Sequence, residues 1–154
     1  MVGPGARGRP LVLRAFEPPA TPWAAGHRGV DLAAGAGASV RAAAAGEVAF
    51  AGPVGGVPVV VVALTGGLRT TYEPVRAAVA VGAAVAAGDR VGEVAVGRLP
   101  HCPEVCVHWG LLRGDVYLDP LTLLPPVLRR AGPSRLLPVA GAGGGGKGVS
   151  GRKG

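Results

Sequence analysis

The chain has 154 residues, 49% hydrophobic and 16% charged, with 28 glycines and 15 prolines. Its mean hydropathy of +0.40 opposes the low-hydrophobicity, high-charge balance of a disordered chain, so the glycines and prolines read as the turns of one globular domain. The net charge of +7 sits at the ends: residues 1–14 and 129–154 carry nine basic residues and no acid, whereas 15–128 hold seven basic against nine acidic residues. That leaves little from which to build a basic nucleic-acid face, and with aromatics at only 4% and none in the tail, stacking platforms are missing too.

In chain order, residues 1–14 form a basic N-terminal extension. The apolar run Leu11 to Leu13 is too short for the h-region of a signal peptide, so none is visible. Short Val-rich runs follow, Ala38 to Ala42, Glu47 to Ala51, Val57 to Leu64, Leu68 to Pro74, Arg90 to Val96, Val105 to Leu112 and Val116 to Tyr117, separated by glycine-bearing turns. This spacing predicts an all-β fold, a small antiparallel β-sandwich or barrel-like domain. The uncharged stretch 48–68 is long enough to cross a bilayer, but Gly52, Pro53, Gly55, Gly56, Pro58, Gly66 and Gly67 break it, and a turn followed by a buried strand explains it better. The Ala-rich stretch from Arg76 to Ala87 is interrupted by Gly82, and its valines 79, 81 and 85 suit extended structure better than helix. The domain spans 15–125. Residues 126–154 form a Pro/Gly/Arg-rich tail that has no means of burying a core and is expected to be disordered.

Two constellations carry chemistry. In Gly26-His27-Arg28-Gly29-Val30-Asp31, His27 and Asp31 are four apart and share a face of an extended segment. In Cys106-Val107-His108-Trp109-Gly110, Cys106 and His108 are two apart and share a strand face. Two imidazoles and a carboxylate make a three-ligand zinc site with an open position.

The order and surroundings of these residues resemble the lysostaphin/LytM-type zinc metallopeptidases of bacterial cell walls, metallopeptidase family twenty-three. Its H-x-x-x-D is matched by His27 and Asp31, and the second histidine of its H-x-H by His108. Its G-x-x-V-x-A-x-x-x-G-x-V segment is matched by Gly37, Val40, Ala42, Gly46 and Val48, and a later Val/Gly segment by Val79, Gly82, Val85, Gly88 and Gly92. The Tyr117-Leu118-Asp119-Pro120 ending is also similar, and the resemblance covers residues 23–124. It implies the LytM/lysostaphin fold and one Zn2+ held by His27, Asp31 and His108. It also implies a metalloendopeptidase acting outside the membrane on peptidoglycan cross-link peptides.

Two positions depart from the family pattern. Cys106 stands where the family has the first histidine of H-x-H, and Pro74 where it has the histidine of Y-x-H; Tyr72 matches the tyrosine. The family uses those histidines to orient the water and stabilise the tetrahedral intermediate, and neither proline nor an oxidised cysteine donates such a hydrogen bond. His101, seven residues before His108, and Glu73, beside Pro74, are candidates to stand in. The only cysteines, Cys102 and Cys106, are spaced either to close a small disulfide loop beside the metal strand or to add thiolate ligands, and the disulfide suits an extracytoplasmic compartment.

The Gly/Val grammar also resembles lipoyl and biotinyl carrier domains, which need a lysine on a hairpin tip. Both lysines, Lys147 and Lys153, lie in the tail. Three expectations follow: a zinc endopeptidase; a catalytically inactive domain of the same fold that binds the cell wall or regulates another wall hydrolase; and an interaction module whose histidines bind nothing. A monomer is expected, with peptidoglycan peptides as partner, no nucleic acid, and a weak attraction of the tail to anionic cell-wall polymers.

Overall fold

The computed structural model describes residues 11–18, 26–96 and 105–126. His101, Cys102 and the basic tail from residue 127 lie outside them.

Eleven strands are described: β1 (Val12–Arg14), β2 (Val30–Ala33), β3 (Ser39–Arg41), β4 (Gly46–Val54), β5 (Val57–Ala63), β6 (Leu68–Glu73), β7 (Val75–Ala77), β8 (Ala84–Val85), β9 (Arg90–Val94), β10 (Cys106–Arg113) and β11 (Val116–Leu118). All pair antiparallel, in an eight-stranded sheet of order β1-β2-β10-β6-β5-β4-β8 with β11 also on β10, and a three-stranded sheet of order β3-β9-β7. The fold is all-β, as the strand spacing predicts. The stretch from Arg76 to Ala87 contains no helix, only the end of β7, turns and β8.

Local sequence accounts for the main hairpin. The β-branched run VPVVVVA favours extended backbone, and Gly55 and Gly56, with φ of 57° and 84°, supply the two left-handed residues of a tight turn between β4 and β5. One boundary differs from the sequence expectation. β1 pairs with β2 and lies within the stretch set apart as an extension, because Val12 sits opposite Leu32 and packs against the core.

The core lies between the two sheets. Val30 of β2, Trp109 of β10, Tyr72 of β6 and Val60 of β5 are register partners, so they form one row on the inner face of the large sheet, all buried. Val40, Val75, Val91 and Val94 of the small sheet join the same core cluster. The Trp109 indole N–H donates to Thr70 Oγ1 at 2.7 Å, and that hydroxyl donates to the Gly110 carbonyl at 2.9 Å, so the buried indole nitrogen and the buried Thr70 hydroxyl are both satisfied. The Tyr72 hydroxyl accepts from the Ala43 N–H at 2.9 Å and ties the row to the loop after β3.

Candidate metal centre

Side chains alternate along a strand, so the residues one step from the inner row point to the opposite face. There Asp31, His108 and Glu73 are register partners on β2, β10 and β6, with β10 in the middle. The outer face of the large sheet therefore carries a row of one imidazole flanked by two carboxylates.

His27 joins the row from the segment before β2. Its backbone exchanges two hydrogen bonds with Glu17, at 2.8 and 2.9 Å, and its Nδ1 lies 2.8 Å from the Ala15 carbonyl. A carbonyl only accepts, so Nδ1 carries the proton and, in the neutral ring, Nε2 keeps its lone pair. That Nε2 faces Asp31 Oδ2 at 3.1 Å, while His108 Nδ1 lies 2.8 Å from Asp31 Oδ1. One carboxylate thus spans two imidazoles whose ring centroids are 5.1 Å apart. His27 and Asp31 are buried, at 4% and 2% exposure, and His108 is half-buried.

The donor set fits a metal ion. One ligand atom from each of His27, Asp31 and His108 lies within 4.8 Å of the others. Ligands sharing one tetrahedral zinc at bond lengths near 2.0 Å stand ~3.3 Å apart. The two nitrogen-to-oxygen spacings, 3.1 Å to Oδ2 and 2.8 Å to Oδ1 of Asp31, are of that order, each to its own carboxylate oxygen. Among the described residues this is the group of histidines and carboxylates so arranged.

Gly29 makes the arrangement possible. A Cβ there would strike the Trp109 carbonyl oxygen and come within 2.8 Å of His108 Nε2 and 2.9 Å of His108 Cε1. Gly29→Ala is expected to push the His108 ring from its place, weakening zinc affinity ~10- to 100-fold, the usual cost of disturbing a ligand's support. Zinc titration of the folded variant checks this; wild-type affinity would show that the close approach does not hold His108.

The remaining sequence candidates divide. Glu73 is half-buried and stands in register with His108. Pro74 is buried, its carbonyl accepting from the Ala95 N–H at 3.0 Å. Cys106 is buried on the His108 face of β10 and is disulfide-bonded, which removes the thiolate that metal ligation requires. Burial pushes the Tyr72 hydroxyl above the usual tyrosine value despite its hydrogen bonding with Ala43 and Thr70, so it is a neutral phenol facing the core. Sequence reasoning misses the Ala15 carbonyl, a backbone group twelve residues from its histidine. It also misses Arg28, whose guanidinium sits 5.5 Å over the Tyr117 ring.

A two-sheet β domain with a His/Asp/His group on the outer face of its larger sheet has the make-up of a LytM/lysostaphin-type metallopeptidase domain. Residues 25–120 match the model of peptidase family M23, and the chain belongs to that family. It is 44% identical over 142 residues to uncharacterized proteins of Mycobacterium tuberculosis and Mycobacterium bovis, covering 89% of this chain and 55% of theirs, so it spans about half the length of those curated relatives. Its fold is similar to a zinc-containing peptidase from Vibrio cholerae, with TM-score 0.60, 23% identity and coverage of 75% of this chain and 37% of that one. It is also similar to the catalytic domain of the antimicrobial peptidase lysostaphin from Staphylococcus simulans, with TM-score 0.59, 20% identity and coverage of 72% and 89%.

Proposed function

We propose that the domain binds one zinc ion through His27, Asp31 and His108 and hydrolyses peptide bonds in peptidoglycan cross-links outside the membrane. The observation that carries this reading is the carboxylate of Asp31 lying between His27 Nε2 and His108 Nδ1 in a chain of the M23 family. When bound, zinc supplies Lewis-acid polarisation of a carbonyl and a more acidic water. The chain's own residues do the rest. Ala15 and Gly29 hold the two imidazoles in place, and the inner row around Trp109 keeps β2 and β10 in register.

Cys106 is disulfide-bonded and Cys102 is the only other cysteine of the sequence, a pairing that supports the extracytoplasmic setting of this reading.

A second reading has its own support. Cys106 and Pro74 occupy the positions of the family's two histidines, and losing one oxyanion donor typically slows a hydrolase ~100- to 1,000-fold. On this reading the domain binds wall peptides or regulates another wall hydrolase. Gel zymography on purified peptidoglycan separates the two: the hydrolase reading expects clearing by the wild type and none by His27→Ala or His108→Ala. Absence of clearing by zinc-loaded wild type would favour the second reading.

A further inference from the structure

We infer that Glu73 is the proton-transferring carboxylate of this site, doing the work for which the chain lacks the family's two histidines; the inference rests on the hydrolase reading above.

The strand register carries the inference. His108 has a partner on each side, Asp31 on β2 and Glu73 on β6. Directly paired residues of an antiparallel sheet share a face, with Cβ atoms ~4.5–5.5 Å apart. Glu73 is therefore set on the face that holds the His/Asp/His group, on the side of His108 away from Asp31. The neighbours on its own strand cannot serve. Tyr72 faces the core as a neutral phenol, and Pro74 is buried and has no N–H to donate.

Of the other carboxylates of the described residues, Glu47 on β4 and Asp115 in the turn between β10 and β11 are not in register with His108, Asp89 accepts from the Ala86 N–H, and four more are engaged as follows. Asp31 is shared by the two histidines, Glu17 approaches Arg14 at 3.7 Å, and Glu93 pairs with Arg76 at 2.9 Å. Asp119 accepts from the Leu121 N–H at 3.0 Å and closes the turn after β11. The Glu73 side chain has no hydrogen bond or ion pair to any described residue and is half-buried, so on the face that holds the site its accepting oxygens are uncommitted among the described residues.

The step balances within one carboxylate. Glu73 takes a proton from the attacking water as the new C–O bond forms at the scissile carbonyl. It then returns that proton to the departing nitrogen as the C–N bond breaks, giving a carboxylic acid and an amine. A positioned acid–base group of this kind contributes ~100- to 10,000-fold in rate.

The test compares the zinc-loaded full chain with its Glu73→Gln and Glu73→Asp variants, measuring bound zinc, melting temperature, kcat and KM on soluble peptidoglycan fragments. Glu73→Gln is expected to keep its zinc, its melting temperature and its KM while kcat falls at least ~100-fold, and Glu73→Asp to recover part of the rate. A Gln variant that keeps wild-type kcat overturns the inference and leaves the hydrolase reading intact. A Gln variant that loses its zinc makes Glu73 a ligand and overturns it too. Zinc-loaded wild type that turns over nothing removes the hydrolase reading and this role with it, a pattern distinct from either of the others.

Discussion

Replacing Trp109 by alanine is expected to leave the chain largely unfolded at ambient temperature. The indole is fully buried at the centre of the inner row, between Val30 and Tyr72 on the neighbouring strands. Its removal opens a cavity worth ~3–5 kcal/mol. It also strips the donor from Thr70 Oγ1 in an enclosed position, a further ~1–3 kcal/mol for a buried polar group left short of a partner. Against a total of ~5–15 kcal/mol for an ordinary domain, little stability remains. Urea unfolding followed by circular dichroism measures the loss; a change under ~1 kcal/mol would mean that the row does not anchor the sheet. Because Trp109 and His108 are consecutive on β10 and face opposite ways, the same strand carries the packing and the chemistry.

The second large effect falls on Asp31. Its two oxygens reach both imidazoles, so Asp31→Ala is expected to weaken zinc binding by more than ~100-fold, beyond the range seen when only a supporting partner is lost. Any peptidase activity should fall to background with it. Asp31→Asn keeps the shape and removes the charge, and is expected to bind zinc weakly for the same reason. Isothermal titration with zinc on the apo-proteins checks both. An alanine variant with near wild-type affinity would place the ion elsewhere.

Much of this arrangement is legible in the sequence because it rests on short-range spacing. His27 and Asp31 share one short segment, and the VPVVVVA run with its Gly-Gly turn announces a hairpin without outside help. The valines and the alanine of the matched segment, Val40, Ala42 and Val48, are all buried, and a Cβ at Gly46 would strike the Ala63 carbonyl. These residue types are therefore dictated by packing alone.

What the sequence does not disclose depends on pairings between distant strands. Leu68 to Pro74 reads as one strand, yet Pro74 lacks the N–H to continue a ladder, and the chain passes there from β6 in the large sheet to β7 in the small one. The placement of Glu73 opposite His108 follows from the register of β6 on β10, set by the inner row through Tyr72 and Trp109. Spacing along the chain carries no trace of that register. Likewise, Ala15 contributes a carbonyl, and no side-chain pattern marks it.

The central claim is that His27, Asp31 and His108 form a zinc site, and the most direct measurement is the metal content of the purified chain. After saturation with zinc and gel filtration, wild type should retain about one equivalent, and His27→Ala and His108→Ala should retain little while keeping the wild-type circular dichroism spectrum. A wild type that retains no zinc, or folded variants that retain as much as wild type, would contradict the account.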